Sequence, residues 1–265
     1  RIEQIFVDAW FNVFNRDNTV PPPSWDFFRN EYAQHIGKLD PISNDPLTAA
    51  ELHQQAARFC NTSAKGLDGW YPRELRKLPL QSWVDRAIVE EKFKRERKYP
   101  DAYLKVPLTM LRKKDGRTPK QHRGISVFVA NYRLTTGAWW QRIIPALLKW
   151  IHPDAFGGLP GRECLEAAWE AQLDMENAQM YQHENIQVDT DYEKFYDTFD
   201  PAFFRDLLIY IGVPEDLAHM TFYLYDNIQR MFKIGLHLGK PFVSNREPAK
   251  ETPCPRSVRW RSPPS

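Results

Sequence analysis

Apolar and polar positions follow a helical period through most of the first 62 residues. The run IEQIFVDAWFNVFNR (2–16) places apolar residues at three- and four-residue intervals, and the prolines of VPPP (20–23) stop it. SWDFFRNEYAQHIG (24–37) opens on Ser24, a residue type suited to an N-cap, and closes on Gly37. DPLTAAELHQQAARFCN (45–61) sets Thr48 before Glu51 at capping-box spacing, which predicts a third helix. These three amphipathic helices read as an N-terminal lead-in.

KGLDGWYPRELRKLP (65–79) breaks the period with two glycines around Asp68, a turn, before a helix through LQSWVDRAIVEEKFKRERK (80–98). AYLKVPLTML (102–111) and GISVFVA (124–130) read as strands joined by the polar loop RKKDGRTPKQHR. NYRLTTGAWWQRIIPALLKWI (131–151) is helical with a weak point at Gly137, FGGLPGRE (156–163) is a glycine-rich turn, and CLEAAWEAQLDMENAQMYQ (164–182) is a long helix. NIQVDTD (185–191) predicts a strand. Helices are expected over PAFFRDLLIYIG (201–212) and PEDLAHMTFYLYDNIQRMF (214–232), with Pro214 at the first turn, and a hairpin over KIGLHLGKPFVSN (233–245). The end, REPAKETPCPRSVRWRSPPS (246–265), is rich in Pro, Ser and Arg with no apolar period, and is expected to be disordered.

The 265 residues are 42% hydrophobic, enough for one large core or two small ones. No apolar run approaches the roughly 18 residues of a membrane-spanning helix. The chain opens on Arg1, so it reads as a piece of something longer. Cys60, Cys164 and Cys254 are far apart and outside any metal spacing, which suits a reducing, intracellular compartment. Net charge is only +2, yet the stretch from Arg86 to Arg123 is crowded with Lys and Arg. Such a stretch suits a phosphate backbone or a triphosphate, and equally a solvated helix face.

The stretch IQVDTDYEKFYDTFD (186–200) interleaves acids with Phe195, Tyr196 and Phe199, which a solvated acidic loop rarely does. A strand ending in a metal-binding carboxylate would. Taken in order, KGLDGWYPRELRKLP, VPLTMLRKK, HRGISV, FGGLPGRE and IQVDTDYEKFYDTFDPAFFRDLLIYIGVP together resemble the reverse transcriptase domain of non-LTR (LINE-type) retrotransposons, with group II intron enzymes as cousins. The resemblance runs over about residues 20–245, and rests on five motifs in sequence. Three departures stand out: Gly124 replaces the proline of the family's R-P-I-S, Lys65-Gly66 stands where the turn has Pro-Gly, and Arg112 precedes the motif's lysine.

The resemblance implies an α+β right-hand polymerase fold, fingers plus a partial palm behind the helical lead-in. Its parts would be a helical extension at 1–62, fingers at 63–184, a partial palm at 185–245 and a tail at 246–265. The implied partners are an RNA template, a DNA primer and deoxynucleoside triphosphates, with no membrane partner. Polymerase chemistry lowers the pKa of a primer hydroxyl and stabilises a pentacoordinate phosphorus through two Mg2+ ions, which demand oxygen ligands. Spacing favours Asp191 as the metal-binding catalytic carboxylate, since Tyr196 and Asp197 follow it at the motif's distances; Asp189 is the competitor, with Lys194 where the ring should be. The backbone carbonyl of Tyr192 joins the metal set, and Tyr196 is the implied steric gate against a ribose 2′-OH. Lys113 and Arg123 match the residues that hold the incoming triphosphate, with Lys114 able to substitute for the first. Asp68 reads as a turn former before a catalyst. Arg162 suits either template contact or placement of a helix N-terminus, and Trp139, Trp140 and Trp150 suit the core before base stacking.

The second acidic pair that the chemistry needs is missing: the sequence contains no Asp-Asp. The family's QG-x-P-x-S-P loop is also absent after residue 245. Glu247–Pro255 can be encoded by GAA CCT GCC AAG GAG ACC CCT TGT CCC, which from its third base reads Thr-Cys-Gln-Gly-Asp-Pro-Leu-Ser. A frameshift near residue 246 therefore accounts for both the lost loop and the change of composition. The expectation is a reverse transcriptase fragment that is catalytically incomplete, with a non-catalytic nucleic-acid-binding module or a nonfunctional relic as the rival readings.

Overall fold

The protein is described here by a computed structural model covering residues 2–14, 24–113, 116–188, 190–191 and 200–243. It is a mixed α/β, predominantly helical structure built on one five-stranded mixed sheet. The helices are α1 (Ile2–Phe14), α2 (Trp25–Tyr32), α3 (Ala49–Arg58), α4 (Pro72–Leu75), α5 (Leu80–Glu96), α6 (Asp101–Leu104), α7 (Ala130–Trp150), α8 (Cys164–Met180), α9 (Pro201–Ile211) and α10 (Glu215–Asn227). The strands are β1 (Lys105–Arg112), β2 (His122–Ser126), β3 (Gln229–Ile234), β4 (His237–Leu238) and β5 (Phe242–Val243).

The helix starts follow their caps. Ser24 accepts from the Phe27 amide at 3.2 Å. The Thr48 hydroxyl accepts from the Glu51 amide at 3.2 Å while the Glu51 carboxylate accepts from the Thr48 amide at 2.8 Å, the reciprocal box expected from the spacing. Asp200 caps α9 through the Phe203 amide, and Gly212 closes that helix in the left-handed region.

The sheet order is β2-β1-β3-β4, with β5 also on β3. β1 pairs with β2 antiparallel and with β3 parallel. One sheet thus joins residues 105–126 to residues 229–243. Val106 and Leu104 enter the main core with Leu52 of α3, Trp83 of α5, Leu134 and Trp139 of α7, Leu224 of α10, and Tyr99 and Ile228 from the connections after α5 and α10. Further along β1, Leu108 and Phe232 pack under Trp10 of α1. The N-terminal helix is therefore a cover for one face of the sheet, and its indole N–H donates to the Pro119 carbonyl at 3.1 Å.

Gly124, where the family pattern has proline, lies on that covered face opposite Met110. A Cβ there would stand 3.0 Å from Leu108 Cδ1 and 3.7 Å from the Trp10 ring, so the small residue leaves room for the α1 cover.

The strand expected over 102–111 opens as helix α6 and continues as β1, and the strand expected over 124–130 runs instead over His122–Ser126. Two further elements differ more. The strand expected over 185–191 is absent among the described residues, where 183–188 form no regular element and Ile186 and Val188 are 85% and 77% exposed. A strand needs a neighbour for its backbone N–H and C=O groups, and this segment pairs with no described strand. The helix expected over 214–232 ends at Asn227, and its last residues form β3.

Candidate nucleic-acid interface

The β1–β2 hairpin sets Leu111 opposite Arg123 and Thr109 opposite Ile125. The ladder continues one step further, with the Lys113 amide donating to the Gln121 carbonyl at 3.2 Å and the Gly116 amide to the Lys113 carbonyl at 2.9 Å. Side chains two residues apart on a strand share a face. Lys113 therefore lies on the same face as Leu111 and diagonal to Arg123, about 7–8 Å apart at the backbone. Both cationic side chains are exposed.

The same face extends along the sheet. Lys105 lies on it, and the parallel register Thr109↔Lys233 adds an exposed lysine from β3. Lys113, Arg123 and Lys233 thus lie on one side with the exposed apolar residues Leu111 and Ile125, and Lys105 lies at the far end of that side, beyond Pro107 and Met231, which are buried. The strand positions on this face carry no acid. This is the opposite side from the Trp10 cover. A sheet face with spaced cations and apolar side chains between them can hold phosphates and accept bases in van der Waals contact.

Lys105 belongs to the basic stretch 86–123, whereas Lys233 lies outside it. Lys105 sits in phase with Lys113 along β1, so alternation carried a signal for it. Lys233 opens the hairpin expected over 233–245, and only its parallel register with β1 places it on this face.

Asp191 lies exposed at the last described position before residue 200, without a strand beneath it. Tyr192 and Tyr196 lie outside the described residues, as do Lys114 and Asp189. Among the described residues no group of three or more His, Cys, Asp or Glu side chains is placed to hold a metal ion. Among the described residues Asp191 stands without a second carboxylate grouped to hold a metal with it, which does not fit the two-ion arrangement.

The remaining sequence candidates have structural work. Asp68 Oδ2 accepts from the Ala130 amide at 2.8 Å and so serves the start of α7. Arg162 Nη1 donates to the carbonyls of His152, Pro153 and Ala155 at 2.6, 3.0 and 3.0 Å, which ties together the turn before α8. Trp139 is buried with the Lys94 and Arg142 cations over its ring. Trp150 donates to the Gly37 carbonyl at 2.8 Å, whereas Trp140 is partly exposed.

No family model matches the chain, and no curated protein matches it.

Proposed function

We propose that this chain is a reverse transcriptase domain fragment of a LINE-type retrotransposon, an RNA-directed DNA polymerase in lineage. In this reading β1 and β2 with their supporting helices are the fingers of a right-hand polymerase, β3 belongs to the partial palm at 185–245, and the palm is incomplete. The cationic sheet face is where a primed RNA template and a deoxynucleoside triphosphate lie. Arg123 supplies forked donors to phosphate oxygens, and Lys113 a compact charge beside it. The fragment binds nucleic acid and does not extend a primer, because Asp191 has no second acidic pair to share two Mg2+ ions with.

The observation that carries this reading is the placement of Lys113 and Arg123 on one exposed, acid-free face. Ten residues of sequence separate them, and the ordered series of motifs marks both.

The test is a primer-extension assay on a primed RNA with Mg2+ and all four deoxynucleotides, run beside an anisotropy titration of the same RNA. The expected result is binding without extension. Extension by the purified chain would overturn the claim of an incomplete site, and absence of binding at low salt would overturn the functional reading. Sequencing the nucleic acid that encodes residues 240–265, and the bases beyond, tests the lineage: a shifted frame encoding Gln-Gly-x-Pro is expected.

A further inference from the structure

Helix α8 is placed with its larger apolar side chains facing away from the protein. Among the described residues it buries none of its 17 side chains. Its half-buried positions are Ala167, Ala171 and Ala178, spaced so that they share one side of the helix. Leu165, Trp169, Leu173 and Met180 form a stripe on the opposite side, with Leu165 75% and Trp169 63% exposed. Glu176 lies within this stripe, and Glu166 and Glu170 border it. The helix carries four acids, Glu166, Glu170, Asp174 and Glu176, and no base.

Such a face does not suit RNA, whose phosphates the carboxylates repel. It suits a basic polypeptide segment that brings an aromatic side chain. The chain carries one at its own end. From Arg246 to Ser265 there are five cations (Arg246, Lys250, Arg256, Arg259, Arg261) against two acids (Glu247, Glu251), and Val258 and Trp260 alternate with Arg259 and Arg261.

We propose that the outward face of α8 binds residues 256–261 of the same chain, with Trp260 against the Leu165/Trp169/Leu173 stripe and the arginines beside Glu166, Glu170 and Glu176. The link from Val243 to Val258 spans up to about 50 Å when extended. That exceeds the radius of gyration of about 18 Å expected for a domain of this length. Tethering within one chain gives an effective concentration of about millimolar, which favours this occupant over a second molecule. The contact uses only charge and one indole, so it is independent of the reading frame that produced the tail and of the proposed polymerase lineage.

The cysteines provide the test. Cys164 is exposed at the start of α8, and Cys254 precedes the basic segment. In the full chain carrying Cys60→Ser, a short bismaleimide is expected to join Cys164 to Cys254 within one molecule. The charge-reversed variant R256E/R259E/R261E should lose most of that product. Hydrogen exchange of amides 168–180 should quicken about tenfold in the same variant, with the rest of the chain unchanged. A cross-link yield and an α8 exchange rate that both survive charge reversal would overturn the proposal. Cross-links formed only between two molecules would overturn it as well, and would assign the face to a second copy.

Discussion

Asp68 and Ala130, 62 residues apart, are joined by a hydrogen bond of 2.8 Å from the Ala130 amide to the Asp68 carboxylate. Val129, at the N-cap position of α7, offers no side-chain cap of its own, so a residue in the GLDGW turn does that work from a distance. Replacing Asp68 with Ala should destabilise the protein by about 0.5–2 kcal/mol, the usual worth of a lost N-cap. Asp68→Asn keeps an acceptor oxygen and should cost less. Urea denaturation of the three proteins checks the order.

The same turn packs against the backbone that leads into α7. A Cβ on Gly66 would stand 2.6 Å from Val129 Cα and 2.7 Å from the Phe128 carbonyl oxygen. Backbone cannot swing aside as a side-chain end can. Gly66→Ala should therefore cost about 1–3 kcal/mol, seen as a lower denaturation midpoint. By contrast, nothing lies within 4 Å of a Cβ at Gly157, so Gly157→Ala serves as the control.

Acid should weaken the tie between α3 and α7. Arg142 Nε and Nη2 donate to the two Glu51 oxygens at 2.7 and 2.8 Å, and this pairing, with the Thr48 cap, lowers the Glu51 carboxyl from its ordinary 4.5 to about 2. A lowered folded-state pKa means that the contribution is full above 4.5 and is lost as pH falls through about 2. Wild type should be more stable than Glu51→Gln at pH 7, and the gap should close as the pH is lowered toward 2. Thermal melts across that range read it directly.

Much of this was legible because local chemistry and tertiary packing agree. Ser24, the Thr48–Glu51 box and Gly212 mark helix ends through hydrogen bonds that involve only neighbouring residues. β3 was not legible: Met231 and Phe232 are both buried, so its two faces are apolar there and the alternation that signals a strand is lost. The strand expected near Asp191 failed for another reason. Ile186 and Val188 alternate correctly, but pairing depends on a partner strand that the pattern of one segment cannot supply. In the candidate interface, the pairing of Lys113 with Arg123 followed from motif order, while Lys105 and Lys233 needed the sheet register.

The salt dependence of RNA binding tests the central claim most directly. If Lys105, Lys113, Arg123 and Lys233 each neutralise one phosphate of single-stranded RNA, affinity should fall about 50-fold between 50 and 200 mM salt. Lys113→Ala with Arg123→Ala removes two of those contacts, and should weaken binding at low salt and reduce the fall to about sevenfold. Equal affinity and equal salt slope in wild type and the double variant, or no RNA binding by either, would contradict the assignment of this face to nucleic acid.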